Sequence, residues 1–102
     1  MSAATDQLQT RRALRLIEVL SGKEVGGLRP GEIAKAINES ASTVTRMLAA
    51  VEQEGYCERV PGRDEAWRLG PKLVQIAKAH SAGLASAQRQ IDEVTQRYSR
   101  AP

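Results

Sequence analysis

The 102-residue sequence contains no phenylalanine, one tryptophan, two tyrosines, one cysteine and one histidine. Each scarcity removes a class of protein. Without large aromatic side chains the core must be small and built from Ala, Leu, Ile and Val, which suits helices packed on helices. A chain of this length makes one core with a thin stability margin. A lone cysteine, Cys57, allows no internal disulfide and leaves a structural zinc site without ligands. In a short β-prone stretch it reads as a small, half-buried apolar residue. No apolar run approaches the ~20 residues needed to span a bilayer. Met1 to Thr5 lacks the charged start and apolar stretch of a secretion signal. The expected compartment is the cytoplasm, with no membrane partner.

Net charge is also in short supply. The chain carries a formal +3 with a pI near 9.4, and residues 1–72 hold eleven Lys and Arg against ten Asp and Glu. Any nucleic-acid partner must therefore be argued from where the positive charges fall.

The pattern along the chain is mainly helical with one small β-hairpin. Residues 1–6 are small and polar, and the expectation there is a frayed end. From Leu8 to Leu20 the positions Leu8, Ala13, Leu14, Ile17 and Leu20 suggest a helical face, closed by Ser21-Gly22. Lys23 to Leu28, with Gly26-Gly27, reads as a loop. Pro30 suits the first position of a second helix, because its missing N–H would have no partner there. Glu32 suits the positive end of that helix, and Ile33, Ala34 and Ile37 give it an apolar face. Asn38 tolerates the left-handed conformation of a sharp turn. Ser40 can then cap a third helix, Ser40 to Glu54, along which Val44, Met47, Leu48 and Val51 form the inward stripe. Gly55 ends it. Tyr56 to Val60 and Trp67-Arg68-Leu69 read as two strands around Pro61-Gly62-Arg63-Asp64, a wing-like hairpin.

Gly70-Pro71 opens a last helix running to about Arg100. Leu73, Ala77, His80, Leu84, Ala87, Ile91, Val94 and Tyr98 recur at alternating spacings of four and three, a heptad seam. That stripe joins a second copy of the chain or lies back on its own domain. The division expected is a DNA-binding domain over 1–70 and a C-terminal dimerisation element over 71–102. A His80 pair across such a seam reads first as a polar residue fixing register, and second as a switch near pH 6.

Helix, tight turn, helix and hairpin is the order of elements in major-groove readers. At 100° per residue, the face of the third helix opposite its apolar stripe holds Ser42, Arg46, Ala49 and Gln53, flanked by Thr43 and Thr45. Small hydroxyls, Ala and one Arg allow close approach to a groove floor. Ser and Thr can bond phosphate or base edges, and Arg can bond guanine bidentately. Arg11 and Arg12 near the first helix, Arg29 before the second, and Arg59, Arg63 and Arg68 on the hairpin fall where backbone contacts would need them, Arg63 at the tip above all. Glu39, at the turn, counts against DNA by placing negative charge near phosphates.

Catalysis needs converging groups, and here there is one His, one Cys and no pocketed carboxylate pair. Ser81 follows His80 directly and points to a different helix face. No Gly-rich phosphate loop or metal-ligand spacing is present. The sequence is read as a non-enzyme with no metal and no cofactor.

The stretches RALRLIEVLS (12–21), GEIAKAINESASTVTRMLAAVEQEGYCER (31–59) and WRLGPKLVQIA (67–77) resemble the N-terminal domain of the IclR (isocitrate lyase regulator) family of bacterial transcription factors. The most specific pieces are STVTRMLAAVEQEGY (42–56) and RLGPKL (68–73), in family order. The resemblance runs from about Thr10 into the last helix. It implies a winged helix-turn-helix followed by a long linker helix, and operator binding as a dimer or tetramer. Ser42, Thr43, Thr45 and Arg46 fall at the contacting positions, and Arg63 matches the wing contacts more loosely. Asn38 stands where the family's turn usually has Gly, and Glu39 replaces a usual apolar residue. Family members usually continue into a domain that binds a small effector, so no effector pocket is carried over to a chain ending at Pro102. Such a chain is expected to be a stand-alone regulator, as a phage encodes, or a piece of a longer one.

The reading is a sequence-specific regulator binding an inverted repeat of double-stranded DNA as a homodimer. The alternative is a winged-helix adaptor for protein partners, favoured by the near-neutral N-terminal two thirds.

Overall fold

The computed structural model describes residues 3–63 and 65–100, so Met1, Ser2 and the expected turn residue Asp64 lie outside the described residues. Four helices and a two-stranded hairpin follow in order: α1 Ala3–Leu20, α2 Pro30–Ile37, α3 Ala41–Gln53, β1 Cys57–Arg59, β2 Trp67–Leu69 and α4 Pro71–Ser99. This is a winged helix-turn-helix extended by a long C-terminal helix.

Helix α1 begins earlier than expected. Ala3 and Ala4 are the strongest helix formers, Asp6 in the first turn offsets the positive helix end, and the Thr10 hydroxyl donates to the Asp6 carbonyl at 3.1 Å. Its buried face also differs from the expected one. Leu16 and Leu20 are buried and Ala13 and Val19 pack beside them, whereas Leu8 and Leu14 are exposed. Positions two apart on a helix, such as 14 and 16, are separated by roughly 160° around the axis. The chosen contact line through 13, 16 and 20 therefore turns Leu14 outward.

The core joins Leu16 and Leu20 to Ile33, Ala34 and Ile37 of α2, Val44, Met47 and Leu48 of α3, and Cys57 and Trp67 of the hairpin. The strands pair antiparallel with Arg59 opposite Trp67, Glu58 opposite Arg68 and Cys57 opposite Leu69. Leu28, expected in a loop, adds a single rung on the other edge of β2: its N–H donates to the Trp67 carbonyl and its carbonyl accepts from the Trp67 N–H, both at 2.8 Å. This rung demands glycine before it. Gly27 has φ of 68°, and a Cβ there would lie 2.7 Å from the Trp67 carbonyl oxygen and from Val60 Cγ2. The hairpin is thus tied to the loop preceding α2 as well as to α3.

Helix α4 leaves this core immediately. Gly70 donates to the Tyr56 carbonyl at 2.9 Å and Lys72 to the Gly55 carbonyl at 3.2 Å, which anchors the first turn. Beyond it no α4 residue is buried. Leu84, Ile91 and Val94 are 60%, 59% and 56% exposed. The heptad stripe therefore does not fold back on its own domain, and the molecule is elongated, 70 × 39 × 21 Å. No helix among the described residues is long and apolar enough to cross a membrane.

Candidate nucleic-acid interface

The turn between α2 and α3 sets how α3 stands. Asn38 takes φ and ψ of 56° each, the left-handed conformation expected of it, and the Glu39 N–H returns to the Ala34 carbonyl at 2.9 Å. Ser40 then caps α3: its Oγ accepts from the Thr43 N–H at 3.2 Å and donates to Thr43 Oγ1 at 2.9 Å.

Glu39 does not act as a free negative charge. One carboxylate oxygen accepts from the Ser40 N–H at 3.0 Å and the other pairs with Arg12 Nη1 at 2.6 Å, with both side chains largely covered. The charge beneath the turn is thereby paired with a cation, although no hydrogen bond of good geometry reaches that buried oxygen. The same pair engages Arg12, which sequence reasoning had assigned to DNA. Arg11 is exposed, but it lies roughly 160° around α1 from Ala13, on the side away from the core and from the groove where Gln9, Thr10 and Ala13 meet α3.

On α3, Val44, Met47 and Leu48 are buried, while Ser42, Thr45, Arg46, Ala49 and Gln53 are exposed on the opposite side. Three of the four expected α3 contacts, Ser42, Thr45 and Arg46, thus share one free ridge. Thr43 is half-buried, and its hydroxyl accepts from Ser40 and, at 3.4 Å, from Arg46 Nη2. It serves the helix start and leans toward α1. The Thr45 hydroxyl donates to the Ala41 carbonyl at 2.9 Å, so toward a ligand it offers lone pairs and a methyl group.

The remaining cations divide by partner. Arg68 is bound across the hairpin to Glu58, with Nε and Nη2 each 2.7 Å from Oε2, on the strand face away from Trp67. Arg63 is exposed and reaches the Gly26 carbonyl at 3.4 Å, facing Arg29 across an open cleft between the loop before α2 and the hairpin turn. Arg29 also lines a second cleft of about 610 Å³ between the start of α2, Thr45 of α3 and the hairpin. Lys35 and Arg59 stand in that cleft as well. Lys35 was missed by sequence reasoning, and Arg59 was seen only as one of several hairpin charges. Its guanidinium lies 4.9 Å from the centre of the Trp67 ring. The available signal was the β-pairing that sets Arg59 opposite Trp67.

Cys57 is buried, its Sγ directed at the Leu48 carbonyl at 3.5 Å. Burial, with Glu52 and Glu58 nearby, pushes its thiol up to about 12. Such a thiol is neutral and unreactive. Among the described residues no group of three or more His, Cys, Asp or Glu could hold a metal ion.

The profile of the IclR helix-turn-helix domain matches residues 9–61. The HTH-type transcriptional regulator Rv1719 of Mycobacterium tuberculosis is 35% identical over 75 residues, covering 74% of this chain and 28% of that protein. The chain therefore spans a little over a quarter of this relative's length. A crystal structure assigned to the IclR transcriptional regulators, from Silicibacter sp. TM1040, superposes with a TM-score of 0.66 at 22% identity, over 81% of this chain and 33% of that one. The ORF112 Zα domain of Cyprinid herpesvirus 3, solved for its binding to Z-DNA, gives 0.52 at 23% identity, over 59% and 93%. These two structures agree in fold. With the profile covering just over half of the sequence, the chain belongs to the IclR helix-turn-helix domain family.

Proposed function

We propose that this domain is a sequence-specific, double-stranded-DNA-binding transcription regulator that inserts α3 into the major groove. The carrying observation is the ridge of Ser42, Thr45, Arg46, Ala49 and Gln53, exposed along a helix whose other side is locked in the core. Arg46 is the side chain suited to bidentate guanine contact, Ser42 and Thr45 supply hydroxyls, and Ala49 leaves room for close approach. Arg29 and Arg63 flank the ridge on the hairpin side as backbone contacts. Arg12 is left out of this set because Glu39 holds it, and Arg11 because of its side of α1.

Two copies would join along α4 through Leu73, Ala77, His80, Leu84, Ala87, Ile91 and Val94. This reading is supported by the exposure of that stripe from Ala77 onward in a single chain, Leu73 alone being half-buried. A two-fold dimer places its recognition helices on the half-sites of an inverted repeat. The relative named as a transcriptional regulator supports the regulatory reading of the domain, independently of how many copies join.

Selection of bound sites from random duplexes tests binding, sequence and half-site spacing together. An enriched inverted repeat is the expected result, and no enrichment overturns it. The near balance of charge over residues 1–72 favours the second reading, a protein-binding adaptor. Absence of duplex binding at 50 mM salt would select that alternative, because phosphate contacts are strongest at low salt.

A further inference from the structure

Cations on the helix-turn-helix and hairpin fall into two groups. Arg12 and Arg68 are consumed by Glu39 and Glu58. Of those without an ion-pair partner among the described residues, Arg29, Lys35 and Arg59 line one and the same cleft, which opens beside Thr45 of α3. Arg59 is the most constrained. It is exposed, yet its guanidinium lies over the ring of Trp67, which is itself 5% exposed and fixed by hydrogen bonds to Leu28 on one side and by pairing with Arg59 on the other. A guanidinium held over an aromatic ring is positioned by it while its N–H groups stay available to an anion, so it gives up less motion on binding one.

We infer that Arg59, positioned by the Trp67 ring, is a backbone-phosphate contact, closing with Arg29 and Lys35 on the DNA strand that passes between α3 and the hairpin. This rests on the proposed DNA-binding function and extends it to two residues, Lys35 and Arg59, that the exposed ridge does not include. The cleft is continuous with Thr45, so a strand bordering the groove read by α3 runs along it. A phosphodiester offers unesterified oxygens to several donors at once, which is the demand three converging cations meet. Two carboxylates share the cleft and work against this. Glu32 accepts the Arg29 N–H at 3.0 Å and is tied to the helix start. Glu65, on the hairpin turn, opposes the incoming phosphate, so removing its charge has the opposite effect to removing that of Arg59.

The test compares salt dependence of binding for wild type, Arg59→Gln and Glu65→Gln on the selected duplex and on an unrelated one. Glutamine keeps an aliphatic stem over Trp67, and circular dichroism checks folding. A phosphate contact releases about one counterion, so affinity scales with roughly the −0.9 power of salt for each. Arg59→Gln is expected to weaken both duplexes alike, roughly tenfold at 0.1 M salt, and to flatten the log–log slope by about one. Glu65→Gln is expected to tighten both by about two- to fivefold. An unchanged slope with Arg59→Gln overturns the inference while leaving the DNA-binding reading intact, as does a loss confined to the selected duplex, which would make Arg59 a base reader. Wild-type protein that binds neither duplex at 50 mM salt overturns both.

Discussion

Replacing Gly70 with alanine removes no hydrogen bond and asks for no left-handed backbone, since φ of −91° and ψ of 169° suit any residue. On backbone grounds alone the change should stabilise by about 0.4–1 kcal/mol, through a less flexible unfolded chain. The surroundings reverse that sign. The new Cβ would fall onto the Gly55 carbonyl oxygen and lie 3.0 Å from the Cys57 nitrogen. Both are main-chain atoms in a segment pinned by the bonds from Gly70 to Tyr56 and from Lys72 to Gly55, so neither yields cheaply. Overpacking of this kind costs about 1–3 kcal/mol, leaving a net loss of up to roughly 2.5 kcal/mol and about 1.3 kcal/mol at the centre of the ranges. For a domain of this size each kcal/mol moves Tm by about 4–8 °C. Urea and thermal melts of Gly70→Ala, set beside Gly31→Ala, measure it. Gly31 lies in α2 with nothing within 4 Å of its added Cβ, and its substitution should stabilise by about 0.5–1 kcal/mol. If Gly70→Ala melts at or above wild type, the hairpin and the start of α4 are not in close main-chain contact. The direction in which α4 leaves the domain would then need another cause.

Three further outcomes are expected. Ser40→Ala removes the cap that the Thr43 N–H donates to and should cost about 1 kcal/mol in urea unfolding; no change would mean that the hydroxyl network at the start of α3 contributes nothing. Cys57 should resist thiol-reactive reagents at neutral pH in the folded protein. Because its thiol is raised to about 12 from 9.0, its contribution to stability is full below pH 9 and lost as pH rises from 9 toward 12. Rapid labelling under native conditions, or a stability curve flat across that interval, would contradict the burial. Leu84→Asp places a charge in the middle of the α4 stripe and should shift sedimentation from dimer to monomer while leaving the melting of the winged domain in place. A wild-type protein that sediments as a monomer at high concentration would remove the seam altogether.

Local chemistry made most of the architecture legible. Pro30, Asn38, Ser40 and Gly55 each have a conformational reason to be where they are, so helices α2 and α3 and the turn between them could be bounded to a residue or two. The alternating four–three spacing gave α4 its full length. Legibility failed where a residue's role depends on a partner distant in the chain. The α1 sequence offers apolar residues around much of its circumference, and only packing against α2 and β2 selects Leu16 over Leu14. The charge at Glu39 looked adverse until Arg12 was seen beside it. Leu28 carries no strand pattern, since a single rung on Trp67 has no periodicity to reveal it. Among the arginines, sequence position could not separate those bound to carboxylates from those left free, and that separation is what distinguishes Arg12 and Arg68 from Arg29 and Arg59.

Base readout by the outer ridge of α3 falls chiefly to Arg46, its most discriminating member. Equilibrium titration of wild type and Arg46→Ala against the duplex obtained by selection tests it most directly, with an unrelated duplex as reference. A bidentate base contact is worth about 1–3 kcal/mol of discrimination. The mutant should therefore bind the selected site roughly 5- to 150-fold more weakly and show a much smaller loss on the unrelated duplex. Equal affinity of mutant and wild type for the selected site would contradict the account.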